Sequence, residues 1–221
     1  MKKNNIILIG FMGVGKGTVA RAMVKEVGLK SHFREDGKEE VCGNGTLVPY
    51  KNKAGTEVPV PNERKEEGGM VGINSHFQYV IDTDDLIESM ENRAIKKIFA
   101  VEGEAYFRNL EKKTALWLES SVDNTIISTG GGFYRQENLK NIGTVIYLKS
   151  SFDGILKRIK KAPNAKNKLK KRPLLQNKKE AMKLYDTRVK EYERVADIIV
   201  DVENRDLKVI VKEILGQIKW R

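Results

Sequence analysis

Ile6-Ile7-Leu8-Ile9-Gly10-Phe11-Met12-Gly13-Val14-Gly15-Lys16-Gly17-Thr18 joins a short apolar run to a glycine-rich turn and opens a helical pattern. Four consecutive aliphatic residues predict a strand buried on both faces. Across 17–27, Val19, Ala22, Met23 and Val27 recur at helical spacing. Strand, glycine-rich turn and helix in that order are the context of a phosphate-binding P-loop. The glycines let successive backbone N–H groups turn inward around phosphates. Lys16 then bridges the terminal phosphates, and the helix N-terminus adds partial positive charge. A turn that binds nothing is the alternative, and a lysine directly after the third glycine argues against it. One position departs from the usual pattern. Ser or Thr normally follows the lysine and holds Mg²⁺, but Gly17 stands there and Thr18 comes one residue later. The metal ligand is then Thr18, or water and a carboxylate elsewhere; the residues leave both open. Gly13, Val14, Gly15, Lys16, Gly17 and Thr18 are the expected nucleotide contacts. The pattern implies nucleoside triphosphate binding without choosing among kinase, ATPase and GTPase.

Outward from this stretch the alternation continues. Apolar runs at 79–81, 125–127, 145–148 and 198–202 predict four more strands, and helical patterns cover 104–118, 152–159, 178–195 and 207–218. Strands separated by helices predict an α/β fold in three layers, a five-stranded parallel sheet with helices on both faces. Trp117 falls on the apolar side of its pattern and, like Trp220, is given no cofactor role. The 221 residues suit one domain spanning 1–221. Two segments break the rhythm. Residues 31–75 hold seven glycines, three prolines, and six Lys or Arg against eight Asp or Glu, and predict an insertion. Within it, 46–51 and 56–60 flank a turn-like stretch suited to a β-hairpin. Residues 157–172 hold nine Lys or Arg and no acid.

That basic segment dominates the net charge of +11, which first suggests a nucleic acid or another polyanion as partner. It carries no aromatic residue for base stacking, so no nucleic-acid partner is expected. A single cysteine, Cys42, excludes an internal disulfide and a Cys-based zinc cluster. His32 and His76 lie too far apart in sequence to suggest a His-rich metal site. No apolar run reaches about 18 residues, so no membrane partner is expected. Met1-Lys2-Lys3 followed by apolar 6–14 superficially resembles a signal peptide. Interrupting glycines, and Lys16 and Arg21 beyond them, favour a cytoplasmic protein instead.

Ile81-Asp82-Thr83-Asp84-Asp85 ends the second predicted strand, where side chains reach the ligand crevice of an open α/β sheet. Asp82 and Asp84 share strand parity and are expected to face one site. One carboxylate would orient hydrated Mg²⁺, and the other would accept a hydroxyl proton or position the acceptor oxygen. Asp85 is expected to cap the helix starting near Asp84, or to be solvated. Arg108 and Glu111 stand three apart on the 104–118 helix, either as a local ion pair or as a guanidinium held for a substrate carboxylate. Gly130-Gly131-Gly132 closes the third strand and allows a small ligand to approach the backbone, although a simple tight turn has the same residues.

The order of these motifs resembles shikimate kinase. The residues that carry it are 10–18, Asp82-Thr83-Asp84, Phe107-Arg108 with Glu111, Thr129-Gly130-Gly131-Gly132, Arg172-Pro173-Leu174-Leu175, and Arg188 with Tyr192 before Ala196-Asp197. The resemblance implies a P-loop kinase fold and ATP-dependent phosphorylation of the 3-hydroxyl of shikimate, with Mg²⁺, on the route to aromatic amino acids. It implies Lys16 on the phosphates and Asp82 at the metal. Asp84 would hold the shikimate hydroxyls and act as base, Arg108 and Arg188 would grip the carboxylate, and Gly130, Gly131 and Gly132 would lie beneath the ring. Residues 157–172 would form a mobile lid carrying Arg172 into the site, with Arg158 stacked on adenine, and the protein would be a monomer. Another small-molecule or nucleoside-monophosphate kinase is the alternative, encouraged by Gly17-Thr18. A nucleic-acid-binding protein using 157–172 and a catalytically silent shikimate-binding relative are more remote.

Overall fold

The computed structural model describes residues 3–26, 79–163, 165, 173–175 and 177–218. The 31–75 insertion with the hairpin expected in it, Cys42, His32, His76, Trp220 and all of 166–172, Arg172 included, lie outside them. Five strands, β1 (Ile6–Ile9), β2 (Tyr79–Asp82), β3 (Thr125–Ser128), β4 (Thr144–Lys149) and β5 (Ile198–Asp201), form one sheet in the order β2-β3-β1-β4-β5. Every pairing is parallel. All four residues of β1 are buried although they alternate between faces, so helices cover the sheet on both sides. The three-layer α/β architecture with a five-stranded parallel sheet, expected from the alternation, is therefore present.

Eight α-helices are described: α1 (Lys16–Glu26), α2 (Thr83–Glu91), α3 (Ile95–Val101), α4 (Gly103–Ser121), α5 (Leu139–Ile142), α6 (Phe152–Lys161), α7 (Lys178–Val195) and α8 (Leu207–Gln217). Helix α1 packs beside α8, while α7 lies against β4. The predicted strands recur within a residue or two at each end. The main element absent from the sequence pattern is α3, whose seven residues are too few for a clear helical period. Its Ile98 nonetheless packs with Ile87, Phe107 and Leu110 in a small second core under α2 and α4.

Buried Asn5 ties the sheet together at the edge opposite the site. Its Nδ2 donates to the carbonyls of Val122 (2.9 Å) and Ile142 (2.8 Å), and its Oδ1 accepts from Thr125 N (3.0 Å). Three connections thus share one satisfied side chain, which fixes the register of β1 against β3. That register pairs Leu8 with Ser128, and the next pairing sets Ser128 beside Asp82. The carboxyl ends of β1, β2 and β3 therefore open on one crevice.

Candidate active site

On one side of the crevice the chain leaves β1, turns through residues 10–15 and enters α1. Gly13 and Gly15 adopt φ of +86° and +107°, conformations open to glycine and strained for other residues. Lys16 is buried, and its Nζ donates back to the carbonyls of Gly10 (2.8 Å) and Phe11 (3.5 Å). Its charge is thereby held over its own loop. Arg158 reaches the same loop from α6: Nη1 donates to the Val14 carbonyl, and the guanidinium lies against Gly15, where a Cβ would strike it. Burial lowers the Arg158 pKa. Gly17 and Thr18 fall in the first turn of α1, and Thr18 is exposed.

Asp82 ends β2 and is also the N-cap of α2. Its Oδ1 accepts from Asp84 N (3.0 Å), while Oδ2 accepts from Ser128 Oγ (2.8 Å). The capping role expected of Asp85 thus belongs to Asp82, because α2 begins at Thr83, one residue earlier than its pattern suggests. The parity argument for Asp84 fails for the same reason. Asp84 stands on the first helical turn, and the turn rather than the strand pleat directs it to the crevice. Although partly exposed, it has protein packed around most of its carboxylate. Desolvation, then the charge of Asp82, raises its pKa to about 7 against the opposing pull of Lys16.

Each glycine of the loop after β3 has one functional side chain pressed against it. A Cβ on Gly130 would strike the Asp84 carboxylate, and one on Gly132 would strike the Arg108 guanidinium. A Cβ on Gly131 would come within 3.0 Å of Arg188 Nη1. The loop is itself held in place: Gly130 N donates to Thr83 Oγ1 (3.0 Å), and Tyr192 Oη donates to the Gly131 carbonyl (2.7 Å). Burial pushes the Tyr192 phenol up, so it keeps that proton.

Arg108 is gripped from two turns of α4. Nη1 donates to Glu111 Oε2 (2.6 Å), and Nε and Nη2 donate to Glu104 Oε1 (3.0 and 2.7 Å). Burial lowers the Arg108 pKa, but the two carboxylates outweigh it and leave it raised. Glu111 is buried, and desolvation lifts its pKa despite Arg108. Arg188 differs. It is buried, its Nε has no hydrogen-bond partner, and Glu104 and Glu111 act on it through space alone, unlike their direct bonds to Arg108. A buried guanidinium without a carboxylate bonded to it is a site that favours an anion. Arg108, Arg188, Asp84 and the three glycines therefore do meet, as the motifs predict. Glu104 belongs to none of the motifs, yet its spacing of four from Arg108 is the local signal for this contact. Ser128 and the hold of Tyr192 on Gly131 carry no such local signal.

Among the described residues no cluster of three or more His, Cys, Asp or Glu is placed to hold a metal, and no helix is long and apolar enough to cross a membrane. The family model described as shikimate kinase matches residues 73–219. Shikimate kinase from Dictyoglomus turgidum is 37% identical over 144 residues, covering 63% of this chain and 81% of that protein. Shikimate kinase from Persephonella marina is 30% identical over 220 residues, covering 97% of this chain and 99% of its own length. Among solved structures, shikimate kinase from Aquifex aeolicus superposes with a TM-score of 0.61 at 27% identity, covering 96% of this chain and 94% of the other. With the P-loop, the aspartates after β2, and the arginines on the glycine loop all in one crevice, the chain belongs to the shikimate kinase family.

Proposed function

We propose that this chain transfers the γ-phosphoryl group of ATP to the 3-hydroxyl of shikimate. The carrying observation is the glycine loop itself, with Asp84, Arg188 and Arg108 each packed on one of its three glycines beside the P-loop. A small acid bearing hydroxyls has the chemistry that two guanidinium groups and one carboxylate would select. A nucleobase does not, which counts against a nucleotide acceptor.

Residues 13–18 would take the ATP phosphates through their backbone N–H groups and Lys16, with Arg158 available towards the adenine. Mg²⁺, when bound, draws charge from the β- and γ-phosphates. The donors present fit such a hard cation, which needs only one or two protein oxygens besides water. Asp82 would hold it, with a hydroxyl alongside: Thr18 is the adjacent one in the chain, Ser128 the one bonded to Asp82. Arg108 and Arg188 bind the shikimate carboxylate, and Gly130, Gly131 and Gly132 support the ring. Asp84 accepts the 3-hydroxyl proton; a pKa of about 7 suits a base at neutral pH. Residues 157–161, expected as the start of the lid, instead complete α6. Arg172 is assigned to the transferring phosphoryl group, and closure of the basic stretch after α6 over the site would exclude water. The protein works as a cytoplasmic monomer.

A coupled assay of ATP consumption across shikimate, AMP, gluconate and no acceptor tests this. Turnover is expected with shikimate and Mg²⁺ alone. Turnover with AMP or gluconate, and none with shikimate, would overturn the acceptor while leaving a P-loop kinase. Arg108→Ala should weaken shikimate binding and spare ATP binding; equal loss of both would contradict its role.

A further inference from the structure

The hydroxyl that commonly follows the P-loop lysine is absent from α1, because residue 17 is glycine. Another strand brings a hydroxyl to the same place. A Cβ built on Gly17 would lie 3.9 Å from Ser128 Oγ and 4.0 Å from Asp82 Oδ2, with the exposed Arg21 Nη1 at 3.5 Å. A serine at 17 extends one atom beyond that Cβ, so its oxygen would occupy the space Ser128 and Asp82 border. Ser128 Oγ already donates to Asp82 Oδ2 at 2.8 Å. A hydroxyl that gives its proton to a carboxylate keeps its lone pairs for a cation. Thr18, the hydroxyl next in the chain, is exposed.

We propose that Ser128 replaces the missing residue-17 hydroxyl at the metal side of the nucleotide site, acting together with Asp82. The placement follows from the sheet. Parallel register sets Ser128 directly beside Asp82, with both side chains on one face, and the α1 N-terminus lies over that face at Gly17. The P-loop and β3 have in effect exchanged the position of one oxygen. Glycine at 17 leaves the space that a serine at 128 uses.

This inference rests on the nucleotide assignment above, and calorimetry of ADP binding separates the two. ADP affinity is measured with Mg²⁺ and with EDTA in wild type, Ser128→Ala, Thr18→Val, and Ser128→Ala combined with Gly17→Ser. The Mg²⁺ enhancement of affinity should fall roughly tenfold in Ser128→Ala, while affinity in EDTA stays at the wild-type value. Thr18→Val should retain the enhancement. The Gly17→Ser second change should restore it, since a Cβ at 17 meets its neighbours only at ordinary contact distance. A packing defect at 128 would not be repaired from residue 17, so failure of this rescue overturns the proposal. An undiminished enhancement in Ser128→Ala, or its loss in Thr18→Val, overturns it too. Absence of ADP binding in the wild type would overturn the nucleotide assignment along with it.

Discussion

In the proposed function, the phosphate-binding loop of the nucleotide side comes from one stretch, residues 10–18, whereas the acceptor side gathers Asp84, Arg108, the glycines 130–132 and Arg188 from four separate places in the chain. The first is mainly backbone, shaped by glycines in conformations that other residues resist. The second is mainly side chains, each oriented by a neighbour: Arg108 by Glu104 and Glu111, and the glycine loop by Thr83 and Tyr192. A backbone site is specified locally and reads a feature every nucleoside triphosphate shares. A side-chain site depends on tertiary packing and can select one acceptor.

The sharpest break between the two sides is expected at Lys16, the one side chain that dominates the backbone site. Lys16→Ala should lower turnover by about 10³-fold, as loss of a preorganised charge on a developing anion does. Steady-state kinetics that kept turnover within tenfold of wild type would move the phosphate site elsewhere. Next comes Asp84→Asn, expected to cut turnover on the order of 10²-fold while ADP affinity holds. A matching loss of ADP affinity would mean that Asp84 belongs to the nucleotide side.

Asp84 also carries a signature in stability. Its folded pKa of about 7 lies above its ordinary value of 3.8. Its contribution to stability is therefore complete below pH 4 and disappears as pH rises through 7. In the ligand-free protein, the melting-temperature advantage of Asp84→Asn over wild type should grow from pH 4 to pH 8. A constant difference would show that the carboxylate is not desolvated.

Smaller effects should separate the two arginines' supports. Arg188→Met should raise the KM for shikimate roughly 10- to 100-fold, the worth of a charge-assisted pair, with little change in the KM for ATP. Glu104→Gln should raise it only about twofold, because the Glu104 end of the Arg108 clamp is solvent-exposed. If Glu104→Gln matched Arg188→Met, the exposed carboxylate would be holding Arg108 far more firmly than its exposure allows.

Much of this was legible in the chain. β1, the P-loop and α1 are contiguous, so glycine spacing and hydrophobic period report them directly. Helix α7 (Lys178–Val195) was bounded to the residue by its pattern. Short-range order fails where one position serves two elements. Asp82 both ends a strand and caps a helix, and nothing in Asp82-Thr83-Asp84-Asp85 says which carboxylate does so. Nor does the helical period say that Arg188 ends up buried without a carboxylate bonded to it, since that depends on what α7 is packed against.

By itself the sequence determined the kinds of group available: a phosphate loop with no hydroxyl after its lysine, paired aspartates, arginines, and a run of three glycines. These follow from neighbouring residues, because turn geometry and helical spacing are set over a few bonds. Only the tertiary structure decided which groups meet. Parallel register between β2 and β3 sets Ser128 beside Asp82, 46 residues apart in the chain, and packing of α1 over that edge brings Gly17 to both. Contacts of that range come from burying the sheet under its helices, a cooperative result that no single stretch of residues encodes.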